Sequence, residues 1–450
     1  MPALTWQRLG NLCYWGQFPV DNGLVSIFFI QKIIMKRILI IGGGFAGLWS
    51  ALGAARKIDE QNMNPEVEVV LVNPTANHSI RVRNYEENLE EMLVPLEDVL
   101  DPVGVEWMKG EATDINPSEK RVTVKVDGNS RSIPYDKLVL ASGSQLAYAP
   151  IPGLADHAFD VDTYAGAKRL EQHLEKVVTS GKVGSLTAVV VGAGLTGIEI
   201  AAELPGRLRS LAASRGDSPI DGPHVHVILA DRAPEIASAM GGAQPVIEHA
   251  LTELGVELMP GMELRAVDSK GLTLADGKRI ETSTIVWCGG MRASALTKCL
   301  PVEHDAFGRV PVNAYMQVEG IRDVFASGDA ARALFNGGHA SVMSCQHGRP
   351  MGRFAGHNVV CDLLGLPMLP LDIDWYTTIL DLGPWGAVYT EGWDRRLAAQ
   401  GQQAKKVKKT INRERIYPPL TRDRAALIDA AAPTVQAPPP IGAQTSWSGE

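Results

Sequence analysis

The chain has 450 residues, 45% hydrophobic and 21% charged, with a formal net charge of −8. That length provides for two or three domains, each large enough to bury its own core, and the acidic balance argues against a nucleic-acid partner. Five scattered cysteines, Cys13, Cys288, Cys299, Cys345 and Cys361, form no C-x-x-C pair, which argues against a redox dithiol or a zinc ribbon and fits a reducing, cytoplasmic setting with no metal.

Leu24 to Ile34 is the most apolar stretch, but it is short and interrupted by Gln31 and Lys32. It is neither a membrane span nor a secretory signal. Met35-Lys36-Arg37 stands directly before the first strand, so residues 1–34 are expected to be an extension upstream of the natural start.

Ile38 to Ile41 predicts a buried parallel strand. It breaks into Gly42, Gly44 and Gly47 at the spacing G-x-G-x-x-G, and helix-compatible residues follow from Leu48 to Ala55. The first glycine allows a tight turn and the second lets the backbone approach a pyrophosphate. The third lets the helix lie on its strand with its N-terminus facing the phosphate charge. Glu66 to Val72 reads as the second strand of this unit. Asn73 stands where an acidic residue usually meets the ribose hydroxyls, and its amide oxygen still accepts one hydrogen bond.

His78 to Glu91 predicts a polar, solvated helix carrying Arg81, Arg83 and Tyr85. Gly110 to Val126 alternates like a strand pair. Tyr135 to Ser144 gives a strong strand ending in the small residues Ala141, Ser142, Gly143 and Ser144, and Ile151-Pro152-Gly153 marks an exit from the first domain. The opening pattern then recurs. Ala188 to Val191 leads into Gly192, Gly194 and Gly197, with a helix behind them and a second strand at 224–230 ending in Asp231. Two complete strand–glycine–helix units specify two dinucleotide sites far more firmly than one. Asp231 favours a free ribose 2′-hydroxyl over a 2′-phosphate, and the adjacent Arg232 weakens that preference.

Ile285 to Gly290 is another buried strand with a glycine exit. Asp323 to Asp329 ends in Gly328, for close backbone approach, and Asp329, a carboxylate suited to a polyol chain. Beyond Leu371 the composition changes. Thr377 to Tyr389 predicts a strand pair around Gly383-Pro384. Arg395 to Arg415 holds eight Lys or Arg against the single Glu414, with Ala404, Val407 and Ile411 as a thin apolar stripe. This reads as a basic helix, either solvated or resting on an anionic membrane surface. Residues 432–450, rich in Pro, Ala and Ser, read as a disordered tail.

Together these motifs resemble the flavoproteins with two dinucleotide-binding domains, over roughly Lys36 to Tyr389. The resemblance implies an α/β fold of two Rossmann-like domains, a FAD domain with an inserted NAD domain, plus a C-terminal region. The layout is 35–155 and 289–370 for FAD, 156–288 for NAD(P)H, 371–431 for the C-terminal region and 432–450 for the tail. Within that family the chain is most similar to type II NADH dehydrogenases. The likeness rests on Thr196-Gly-Ile-Glu199, on Ile285 to Ala293 with Trp287, and on Cys345-Gln346 followed by Gly352, Ala355 and Asn358.

The resemblance implies FAD on the first unit and NADH on the second. Cofactor contacts are then expected from Gly42, Gly44, Phe45, Ala46, Gly47, Asn73, Arg81 and Ala112 and from Ser142, Gly143, Gly328 and Asp329. The nicotinamide side adds Gly192, Gly194, Leu195, Thr196, Gly197, Asp231 and Gly290. Glu199 is expected to hold the carboxamide or relay a proton, and Gln346 to lie near the flavin pyrimidine edge. Two departures stand out. Pro350 replaces the second glutamine of the quinone-site helix, removing an amide and predicting a kink. The C-terminal anchor, usually apolar, is basic here.

The function expected is transfer of hydride from NADH to FAD and of electrons to an acceptor. A quinone is the first expectation and a soluble carrier or small metabolite the second; an NADH-sensing flavoprotein of another class stands beside them. The enzyme would be cytoplasmic, with peripheral contact on the inner face of the membrane, and an oligomer is compatible with the sequence.

Overall fold

The computed structural model describes residues 35–63, 66–180, 186–214 and 225–441. The expected extension 1–34 lies outside the described residues, as does 442–450.

Two parallel sheets organise the chain. In the first, β1 (Lys36–Ile41) lies between β2 (Val67–Asn73) and β4 (Lys137–Leu140). Beyond β2 runs β3 (Glu106–Lys109). The second, described by β5 (Thr187–Val191), β6 (His226–Ala230), β7 (Val256–Met259) and β8 (Thr284–Trp287), runs in the order β7-β6-β5-β8. After it the chain returns to the first sheet, where β9 (Val324–Ala326) pairs with β4. The second unit is therefore an insertion in the first. The central strands are solid β-branched and aliphatic runs because helices cover both faces of a parallel sheet; Ile38, Leu39 and Ile40 are fully buried.

Each glycine loop feeds a helix, α1 (Phe45–Glu60) in the first unit and α2 (Leu195–Ala213) in the second. A Cβ on Gly47 would stand 1.7 Å from the Gly42 carbonyl oxygen, and one on Gly197 would stand 1.7 Å from that of Gly192. Only glycine lets these helices sit so close to the turn.

A third helix, α3 (Cys345–Leu364), packs along α1. The contact is backbone against backbone: a Cβ on Gly352 would lie 2.4 Å from the Ala46 oxygen, and one on Gly356 2.1 Å from that of Ser50. Pro350 does not end α3, which continues as one helix to Leu364. It is in the second turn, where its ring removes only the bond to the Gln346 carbonyl.

The C-terminal region is an antiparallel meander of β10 (Thr377–Asp381), β11 (Ala387–Glu391) and β12 (Arg396–Gln400), followed by α4 (Gly401–Thr410). The sequence reading found the first two strands and missed the third.

Three expectations are corrected. Residues 78–91 form no solvated helix: they hold a short strand and two 3-10 turns, and Arg83 is buried against Glu86 and Tyr417. The basic helix α4 is not solvated all round, although Lys406 and Lys409 on its outer face are exposed. Ala404 and Val407 are buried on the meander, and Lys405 and Lys408 turn inward to carboxylates. The tail as far as Ile441 is placed against the body, where Arg415 donates to the Ala437 carbonyl at 2.6 Å.

Candidate active site

A cavity of about 800 Å³ opens between the first sheet, α2, α3 and the meander. At one end it meets the N-terminus of α1, where Gly43, Gly44, Phe45 and Ala46 form its wall. A Cβ built on Gly44 meets nothing within 4 Å, so the space outside this helix end is open, and its first amides lack helical acceptors. Two features hold the loop in shape. Asn73 Oδ1 accepts from the Gly43 amide at 2.8 Å. His78 is kept neutral by burial, with its pKa pulled down to about 4, and its Nδ1 donates to the Gly43 carbonyl at 2.9 Å. Asn73 also lines the cavity, which leaves its second lone pair in reach of a ribose.

The second loop is built in the same way. Asp231 Oδ2 accepts from the Ala193 amide at 2.6 Å and Oδ1 from the Ala233 amide at 2.8 Å. Asp231 does not line the cavity, nor do Gly192, Gly194 and Gly197; Leu195, Thr196 and Glu199 of α2 continue from that loop into the cavity wall.

Further along, Gly328 and Asp329 reach the wall from the end of β9 and Gly143 from the end of β4. Ser144 Oγ donates to Asp329 Oδ2 at 2.6 Å. Burial raises the Asp329 pKa, opposed by this bond and by Arg81. Arg81 pairs with Asp162, donates to the Ser144 carbonyl at 3.2 Å and stands 3.8 Å from Asp329. It therefore joins the two halves of the first unit to the start of the insertion.

Gln346, in the first turn of α3, reaches the backbone of β10. Its Nε2 donates to the Thr377 carbonyl at 2.8 Å, and its Oε1 faces the Thr377 amide at 3.3 Å. Glu199 is buried. Its Oε1 accepts from the Asp381 amide at 3.1 Å and from Lys408 Nζ at 2.7 Å. Burial raises the Glu199 pKa, against the pull of Lys408. Burial works to lower that of Lys408, but the Glu199 charge and hydrogen bond outweigh it and leave it raised. Both groups hold their protons more tightly than in water.

Ala112, Ser142 and Gly290 also lie off the cavity wall. Ala112 is paired with Val124 in a separate three-stranded sheet, away from the cavity wall. Ser142 lies under the Gly42 turn with its Oγ unpartnered. Gly290 takes φ +99° and turns the chain so that Met291, not Gly290 itself, faces the cavity. Gly42 and Gly47 shape the first loop from behind.

The sequence reading missed Lys408, Asp381, Asp162 and the segment Val435 to Pro439, all of which meet the cavity or its charged groups. Lys408 was hidden in a run of similar lysines. The turn of α4 that buries Val407 is the signal that would have singled it out.

The cavity fits a flavin dinucleotide: an open helix N-terminus at one end, a carboxylate at a strand end further on, and the buried hydroxyls of Ser79 and Ser344 on the wall without partners. Among the described residues no group of His, Cys, Asp or Glu is disposed to hold a metal. None of the described helices is long and apolar enough to cross a membrane.

Residues 36–352 match the family described as pyridine nucleotide-disulphide oxidoreductase. The chain is 52% identical to an "NADH dehydrogenase-like protein" of Mycobacterium tuberculosis over 90% of its own length and 100% of that protein. It is 27% identical to a type II NADH:quinone oxidoreductase of Staphylococcus saprophyticus, over 85% of this chain and 95% of the other. Its fold is similar to that of NDH2 from Plasmodium falciparum, solved in complex with NADH. The TM-score is 0.68 at 12% identity, covering 88% of this chain and 97% of that one. The chain belongs to the pyridine nucleotide-disulphide oxidoreductase family, as an NADH dehydrogenase-like enzyme that uses FAD and NADH.

Proposed function

We propose that this enzyme oxidises NADH and passes the electrons to a quinone-class acceptor bound in the same cavity. The observation that carries the reading is the Glu199–Lys408 pair. It stands on the cavity wall together with Thr196, Gln346, Ile379 and Ile411. When bound, FAD supplies the two-electron exchange between donor and acceptor. The residues of the chain supply placement and protons. The α1 end and Asn73 bind the adenylate half, and Asp329 with Ser144 takes up the polyol hydroxyls. Leu195 and Thr196 set the position of the nicotinamide. Reducing a quinone consumes protons, and Lys408, hydrogen-bonded to a carboxylate of raised pKa, keeps one at the cavity wall.

A small soluble acceptor is the second reading, and Pro350 favours it. One glutamine amide is lost from the wall that would grip a quinone carbonyl, leaving Gln346, which is itself engaged by Thr377. The test is anaerobic: the flavin is bleached with NADH and then mixed with a panel of quinones and soluble acceptors. Reoxidation at least tenfold faster by quinones supports the proposal. The reverse ranking establishes the second reading, and a bleached flavin that no acceptor restores overturns both.

A further inference from the structure

Two arginines on α3 have no counterion among the described residues. The guanidinium carbons of Arg349 and Arg353 stack over the Trp49 ring of α1, 5.2 and 4.2 Å from its centre. Arg353 is 7% exposed, and the Nε atoms of both are buried without an acceptor. Among the described residues, neither side chain is paired with a carboxylate. The titratable groups that act on Arg349 are Cys345, His78, Arg353 and Arg415. Burial holds the first two neutral, raising the thiol pKa and lowering that of the imidazole, and the others are cationic. Burial also pulls both guanidinium pKa values down to about 10.

Leaving a buried and a half-buried cation unanswered is costly for a folded chain, and the Trp49 face offsets only part of that cost. Their position gives a reason. Both line the cavity, next to the glycines that bring α3 against Phe45 and Ala46, the first residues of α1. His78, which bonds the Gly43 carbonyl, is close enough to Arg349 for the two to interact.

We propose that Arg349 and Arg353 form an oxyanion subsite on the α3 wall, taking a phosphate or diphosphate group in place of the missing carboxylates. Planar guanidinium forks suit such a group, bonding two of its oxygens at once. The group is either the diphosphate of FAD, in which case the proposal rests on the flavin reading, or that of a separate phosphorylated ligand entering the same cavity.

The experiment uses the purified holoprotein and the double variant Arg349→Gln/Arg353→Gln, with Arg349→Lys/Arg353→Lys as a charge-keeping alternative should the first fail to fold. Flavin release on dilution is read by fluorescence, and inorganic pyrophosphate is the added probe. If the cofactor is the source, the glutamine variant releases FAD at least tenfold more readily and the lysine variant less so, and pyrophosphate speeds release from the unmodified protein. If a separate ligand is the source, release is unchanged, pyrophosphate raises the melting midpoint of the holoprotein, and the variants lose that rise. Unchanged release, together with a pyrophosphate response that is absent or identical in all proteins, overturns the subsite. A protein purified without FAD overturns the flavin reading instead, and the pyrophosphate midpoint still tests the arginines.

Discussion

Lys408 Nζ lies 2.7 Å from Glu199 Oε1, although 209 residues separate the two in the chain. A lysine from the C-terminal helix thereby answers a carboxylate on the helix of the inserted unit, with both side chains below 10% exposure. Removing one partner leaves the other charge buried and unmatched, at a cost of about 3–5 kcal/mol, whereas removing both costs far less. Lys408→Met is therefore expected to destabilise the protein by about 3 kcal/mol, and Lys408→Met/Glu199→Gln to recover most of that loss. Urea unfolding of the two variants checks it; equal losses would mean that the pair is not coupled.

Glu199→Gln alone keeps the shape of the site and removes the carboxylate that binds the lysine. It is expected to slow acceptor reduction by about 100-fold or more, the lower end for a positioned proton donor, or to weaken nicotinamide binding. Stopped-flow separates the two half-reactions. Unchanged rates and unchanged nicotinamide affinity would end the functional role given to this residue.

If FAD sits on the first glycine loop and NADH on the second, as proposed, equivalent substitutions should fail differently. Gly47→Ala and Gly197→Ala each force a methyl into a carbonyl oxygen 1.7 Å away. Each is expected to cost at least ~2 kcal/mol. The first should yield protein that has lost its yellow colour, and the second protein that stays yellow but is bleached by NADH only at much higher concentration. Absorbance spectra and an NADH titration decide it.

Asp231 grips the second loop and also bears the charge expected to repel a 2′-phosphate. Asp231→Asn keeps an acceptor for the Ala193 amide and removes the charge. A hydrogen bond to a charged group is worth about 1.5–3 kcal/mol, so the NADH-over-NADPH ratio of kcat/KM should fall by roughly tenfold or more. Steady-state kinetics with both nucleotides measures the ratio, and an unchanged ratio would locate the preference elsewhere.

Burial, with the Asp381 charge next, raises the Glu203 pKa from 4.5 to about 7. The folded state then binds this proton more tightly than the unfolded chain does. The contribution is complete below about pH 4.5 and is lost as pH rises towards 7, at most on the order of 3 kcal/mol over that window. Glu203→Gln should flatten the fall in stability between pH 5 and 7; unfolding curves across that range test it.

Truncation after Ala431 removes Val435 to Pro439 from the cavity wall. With that cover gone, dioxygen and small quinones are expected to reoxidise the bleached flavin several-fold faster. Arg415→Ala, which frees the Ala437 carbonyl, should move the rate in the same direction, and an unchanged rate in both would show that the segment does not cover the route of entry.

Much of this architecture was legible in the residues because it rests on local rules. Strand, glycine turn and helix follow one another within twenty residues, and Gly42, Gly47, Gly192 and Gly197 stand where backbone contacts allow no Cβ. The acidic end of β6 was legible for the same reason. What could not be read depends on contacts across long separations. Arg81 meets Asp162 and Asp329, Lys408 meets Glu199, and Arg415 holds Ala437. Local composition made α4 look like a solvated surface helix because four of its ten residues are lysines; the direction each lysine takes is set by the meander beneath it. The stretch from Ala432 looked unstructured because it is rich in Pro, Ala and Ser, but such a segment needs no secondary structure to lie along a wall.

The glycine seam between α1 and α3 has a consequence for how the polypeptide is made. Residues 45–60 leave the ribosome almost three hundred residues before the helix that covers them. Once Trp287 has emerged the inserted unit has all its strands and can close, while the outer one still waits for its last strand and its matching helix. A nascent chain halted near residue 320 should therefore protect the inserted unit from protease and leave 45–60 open to cleavage.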